Sequence, residues 1–162
     1  MRLAQSHARL LDYQNAFEAC KLSTDCSEIH VESKWEMARI LLQLKRFEEA
    51  LSWIEQDVRE RNSNAETHRL HGDVLGWLDR DEEAVKAYSR CLQIAPANGK
   101  ALSGRGMCLN DLGQLAEALT DCRKAYELGV RDSEFVDAIS EMEAELRDEN
   151  AAENGNGTNG FN

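Results

Sequence analysis

The feature that most constrains this chain is a period of 34 residues that runs through it without an insertion. Ala16, Ala50, Ala84 and Ala118 are separated by 34 each time, as are Leu10, Leu44, Leu78 and Leu112. The same step joins the small residues Ala4, Ala38, Gly72 and Gly106, and the apolar residues Phe17, Leu51, Val85 and Leu119. A repeat in the 20–50-residue range means a stack of like units, because one such unit cannot bury its apolar face alone. Counting by the step gives residues 1–30, a copy lacking its first four places, then 31–64, 65–98 and 99–132.

Within a unit the apolar places recur at helical spacing twice. In the third, Leu75 and Leu78 share one face of a first helix, and Ala84, Val85, Tyr88, Cys91 and Leu92 share one face of a second. Asp79, Arg80 and Asp81 form a polar turn between them, and Pro96 and Asn98 stop the second helix. A single proline and 6% aromatics fit the all-α fold this implies. Small residues at Ala38 or Gly72 and at Ala50 or Ala84 let neighbouring helices approach closely. Beyond Asp132, Ser133 opens a last helix with Phe135, Val136, Ile139, Met142 and Leu146 on its apolar face, expected to cap the stack over 133–148. Residues 149–162, rich in Asn and Gly, are expected to be a disordered tail, so the folded domain is placed at 1–148.

The third unit, from His68 through Gly72, Leu75, Ala84, Tyr88 and Cys91 to Pro96, resembles the signature of the tetratricopeptide repeat family. The likeness covers residues 1–132. His68 and His71 stand where the pattern has Trp and Leu, and Glu28, Asn62 and Val130 replace the closing Pro in the other units. The resemblance implies a right-handed superhelical solenoid of helix–turn–helix hairpins. It also implies a groove, lined by the first helices, that holds a segment of another protein or peptide. Carried over by place, the groove residues are Arg9 in the first unit, Glu32, Trp35, Arg39, Leu42 and Gln43 in the second, and Glu66, Arg69, Asp73 and Trp77 in the third. In the fourth they are Lys100, Ser103, Met107, Asn110 and Asp111. Their charges balance, which fits apolar anchoring by the tryptophans with individual salt links.

Members that grip the carboxyl terminus of heat-shock chaperones carry a clamp of Lys, Asn, Asn, Lys and Arg. Those places are Trp35, Arg39, Leu70, Lys100 and Gly104, of which only Lys100 agrees. Beginning one unit later gives Arg69, Asp73 and Gly104, again without the asparagines. Binding of that tail is therefore disfavoured.

Other chemistry finds little support. The net charge is −11, of which the segment from Asp132 onward carries −8. With no basic stripe to displace counterions from a phosphate backbone, nucleic acid is not expected as a partner. No stretch approaches the ~18 apolar residues of a membrane span, and Met1 to His7 lacks the apolar core of a signal peptide. A soluble, cytoplasmic protein is expected. The five cysteines, Cys20, Cys26, Cys91, Cys108 and Cys122, form no CxxC pair and fall on apolar places of the repeat. His68 and His71 are three apart but occupy packing places, so no metal is expected. GxSxG, P-loop and HExxH are absent, and neither catalysis nor a cofactor is expected. The alternatives to an interaction module are self-assembly, as a homodimer through the apolar edge of Leu3, Leu10 and Phe17, and an accessory part of a longer enzyme.

Overall fold

The computed structural model describes Asn15 and residues 32–60 and 64–156. The first copy of the repeat, with Leu3, Arg9, Leu10, Phe17, Cys20 and Cys26, lies outside the described residues, and so does the proposed dimer edge. All regular structure among the described residues is helical: α1 (Glu32–Gln43), α2 (Phe47–Glu60), α3 (Ala65–Gly76), α4 (Asp81–Ile94), α5 (Gly99–Asp111), α6 (Leu115–Glu127) and α7 (Ser133–Asn156). They pair as hairpins α1–α2, α3–α4 and α5–α6, and each first helix also touches the next first helix, α1 to α3 and α3 to α5. The first helices thus form one continuous layer.

The sequence step is written into the caps and turns. Asn64 accepts the Thr67 N–H at 2.9 Å, Asn98 that of Ala101 at 3.1 Å, and Asp132 that of Phe135 at 3.0 Å. These three residues, 34 apart, each satisfy an orphan donor at the start of a first helix. Asn98 therefore does more than stop the preceding helix. Each first helix ends on a left-handed residue at the same step, Lys45 (φ 57°), Asp79 (φ 55°) and Gly113 (φ 73°). The next N–H then reaches five residues back: Arg46 to Leu41 at 2.9 Å, Arg80 to Leu75 at 3.1 Å, Gln114 to Leu109 at 2.8 Å. This Schellman closure reverses the chain in three residues. Leu78, expected on the first-helix face, sits in such a turn and packs against Met37, Leu41, Ala50 and Val74.

Buried residues form layers along the stack. Ala38, Ile54 and Leu70 join the second unit to the third, Leu75, Ala84, Tyr88, Cys91 and Ala101 the third to the fourth. The small places face larger residues at a constant offset. A Cβ on Gly72 would come within 2.6 Å of the Tyr88 ring, and one on Gly106 within 2.5 Å of Cys122 Sγ, the equivalent contact 34 residues on. Between units, the Thr67 hydroxyl donates to the buried Asp57 carboxylate at 3.1 Å, tying α3 to α2.

α7 buries Phe135 and Met142 against Leu115, Leu119 and Cys122. An Arg123–Glu143 ion pair of 2.8 Å crosses the same seam. The helix runs to Asn156, past the expected end at 148, because Ala151, Ala152 and Glu153 favour helix and nothing interrupts the ladder before Gly155. No described helix is long and apolar enough to cross a membrane.

Candidate functional site

A cleft of about 810 Å³ opens along the layer of first helices. α1 supplies Leu42 and Gln43, α3 supplies Asp73, Gly76 and Trp77, and α5 supplies Gly104, Met107, Cys108 and Asp111. Lys45, Phe47, Asp81 and Tyr88 enter from the turns and second helices.

Of the residues expected in the groove, Leu42, Gln43, Asp73, Trp77, Met107 and Asp111 are brought together here. Trp77 sits at the C-terminal end of α3 with 63% of its surface exposed, stacked on Phe47 at 5.5 Å between ring centroids and 3° between planes. An exposed indole stacked on the half-buried Phe47 beside Met107 and Leu42 is costly to leave in water and gives a ligand an apolar platform.

The other expected residues lie elsewhere or are already engaged. Arg9 and the side chain of Glu32 are outside the described residues. Trp35 is half-buried, with its indole Nε1 enclosed and the Arg39 guanidinium 5.8 Å above its ring, and packs against Ala38, Ile54 and Leu70. Arg39 pairs with Glu36 one turn before it. Arg69, whose side chain is only 14% exposed, is held by Glu66 and Asp73 on its own helix. Lys100 is exposed outside the cleft walls, close enough to Glu66 to help hold that carboxyl below its usual pKa, after the dominant Arg69 hydrogen bond. The neutral Asn110 amide partly offsets the upward shift of the Asp111 pKa, and the Ser103 hydroxyl donates to the Lys100 carbonyl.

Tyr88 was not anticipated at the site. Its ring passes between α3 and α5, so a Cβ on Gly72 or Gly104 would fall 2.6 or 2.5 Å from ring atoms. Its hydroxyl donates to Asp73 Oδ1 at 2.9 Å. The signal was present in outline: glycines stand sixteen places before and after the aromatic position. Burial raises the pKa of Asp73 despite Arg69 and the Tyr88 hydroxyl, and burial followed by the Asp73 charge raises that of Tyr88. Asp111 is raised by burial and then by the neighbouring charges of Asp81 and Asp79. Cys108 is pushed up to about 12, first by burial and then by a hydrogen bond to Asp81, so its sulfur stays a neutral thiol. Cys91 and Cys122 are buried with raised pKa values as well. No group of three or more His, Cys, Asp or Glu among the described residues could hold a metal ion.

The model of the tetratricopeptide repeat-like domain matches residues 3–114. The chain belongs to that family. This tetratricopeptide repeat protein is 32% identical over 88 residues to Hsp70-Hsp90 organizing protein 1 of Glycine max, a match covering 54% of the chain but only 15% of that relative. Among solved structures, MamA from Desulfovibrio magneticus RS-1 superposes with a TM-score of 0.77 at 19% identity, covering 94% of this chain and 86% of that one. The first tetratricopeptide domain of Spaghetti (RPAP3), bound to the HSP90 peptide SRMEEVD, gives 0.68 at 17% identity, covering 72% and 93%. These likenesses show the fold of the tetratricopeptide solenoid. At the clamp places of the family, Leu70 is buried and Gly104 has no room for an arginine while Tyr88 keeps its position.

Proposed function

We propose that this chain is a non-catalytic interaction module whose cleft holds a segment of another protein. The observation that carries the reading is the exposed Trp77 indole, stacked on Phe47 and set in a cleft with Leu42 and Met107. The tetratricopeptide relatives support the same ligand class, since the RPAP3 domain is recorded with a bound peptide. Residues 31–64, 65–98 and 99–132 act as stacked units, with the helix from Ser133 closing the apolar face of the last.

The experiment is capture from a native lysate with the wild-type chain and with Trp77→Ala/Met107→Glu, folding being checked by circular dichroism. Both substituted side chains reach the cleft surface, whereas Arg39 and Arg69 are tied within their own helices and would disturb them if reversed. A protein retained by the wild type and lost by the variant is the expected result. Equal retention by both would overturn the reading.

A further inference from the structure

The charge of the cleft selects among protein segments. Among the described residues, Lys45 is the single cation on its walls, against three carboxylates, Asp73, Asp81 and Asp111. The arginines of the first-helix layer do not redress the balance, because Arg39 is engaged by Glu36, and Arg69 by Glu66 and Asp73. Asp73 is already supplied by Arg69 and Tyr88. Asp81, bonded by the neutral Cys108 thiol, and Asp111, eased by the neutral Asn110 amide, face each other's charge with no cation between them among the described residues, and Asp79 adds a third acid. Beside them stands Trp77, stacked by one face on Phe47 and 63% exposed, which leaves most of an electron-rich indole open to a ligand.

We propose that the cleft takes a segment carrying an arginine or lysine next to a large apolar side chain. The cation lies near Asp81 and Asp111 against Trp77, and the apolar neighbour enters between Leu42 and Met107. This rests on the reading of the cleft as a peptide site and adds the sign of the ligand. An acidic tail such as SRMEEVD, the peptide recorded with the RPAP3 domain, would bring its carboxylates against this wall. Like charges at a desolvated interface reject a partner as effectively as opposite charges admit one.

The test is selection of a displayed library of random octapeptides on the wild-type protein, counter-screened on the charge-neutral variant Trp77→Ala/Met107→Ala. Peptides that need Trp77 and Met107 should be enriched in Arg or Lys beside an apolar residue. Their synthetic forms should bind roughly ten- to twentyfold more weakly to Asp81→Asn/Asp111→Asn at low salt, two charge contacts being lost. Cleft-dependent peptides that are acidic or uncharged, or an affinity indifferent to Asp81→Asn/Asp111→Asn, would overturn the charge inference and leave the cleft reading intact. Recovery of no peptide that depends on Trp77 and Met107 would overturn both.

Discussion

The Tyr88 hydroxyl donates to Asp73 Oδ1 at 2.9 Å, so the second helix of a hairpin holds a carboxylate of the first helix in the cleft wall. The ring that makes this reach possible fills the space left by Gly72 and Gly104, and three helices, α3, α4 and α5, therefore meet on one side chain. Packing and polar satisfaction are joined there: the same residue that closes the inter-unit seam also pairs a largely buried acid.

Replacing Tyr88 by Phe keeps the ring and removes the donor. Asp73 would retain Arg69 alone, and since it is only part-buried and water can replace the lost donor, the change should cost about 0.5–1.5 kcal/mol, the net worth of one hydrogen bond. Gly104→Arg, which introduces the arginine of the chaperone clamp, should cost more, since its Cβ would fall 2.5 Å from Tyr88 Cζ and the ring would have to leave. Urea midpoints of the two variants against wild type check both statements.

Two helical glycines should respond to alanine with opposite signs. A Cβ on Gly76 meets nothing nearer than Cys108 Sγ at 3.5 Å, so Gly76→Ala should gain up to about 1 kcal/mol of helix propensity. A Cβ on Gly106 would lie 2.5 Å from Cys122 Sγ and 3.1 Å from the Ala118 carbonyl oxygen. There overpacking of about 1–3 kcal/mol outweighs the propensity gain. Cys122→Ala in the same chain should restore part of the loss, because the sulfur goes while the backbone oxygen stays. Thermal unfolding of the four proteins measures the pattern.

The repeat was legible because each structural duty falls on a fixed place: Asn64, Asn98 and Asp132 cap, and Lys45, Asp79 and Gly113 turn. The family resemblance, carried over by place in the repeat, put Gln43, Asp73, Trp77, Met107 and Asp111 among the groove residues, and all five line the cleft. Place alone could not show how charges would be spent. Glu36 precedes Arg39 by three and Glu66 precedes Arg69 by three, a spacing that permits pairing, but rotamers and burial decide whether the cation faces its own helix or a ligand. Tyr88 escaped notice for a different reason. A second-helix residue reaches the cleft only because two glycines on different units remove the atoms in its way, and that depends on how the units stack.

The histidines predict a pH dependence. Burial lowers the pKa of both His68 and His71; Arg90 adds to the effect on His68, while on His71 the Glu55 charge opposes and His68, Arg80 and Arg90 reinforce it. A folded-state pKa below the unfolded value stabilises the protein above the ordinary imidazole pKa of about 6.5, and that stability is lost as the pH falls through the folded value. Asp73 and Asp111, with raised values, act in the opposite sense. His71→Leu, which installs the residue of the family pattern, removes one half-buried imidazole and leaves the acids unchanged. The melting temperature of wild type should fall from pH 7.5 to pH 5.5 by more than that of the variant; equal falls would contradict the assignment.

Arg105 is the polar counterpart of Tyr88 on the other face of the stack. From α5 its guanidinium forms two parallel bonds to Asp121 on α6, Nε to Oδ2 at 2.6 Å and Nη2 to Oδ1 at 2.9 Å, while Nη1 donates to Ser89 Oγ on α4 at 3.0 Å. The Asp121 side chain is 9% exposed and that of Arg105 26%, so water competes weakly for the carboxylate and more strongly for the cation. Asp121→Ala should therefore cost about 1–3 kcal/mol, below the full penalty of stranding a wholly buried charge. Arg105→Met strands the more deeply buried partner and should cost at least as much. If the bidentate pair acts as one unit, Arg105→Met/Asp121→Ala will be more stable than the sum of the single losses predicts, with a coupling of about 1–2 kcal/mol in a double-mutant cycle. Additive losses would mean that Arg105 stabilises the seam through its bond to Ser89, and that the ion pair contributes little.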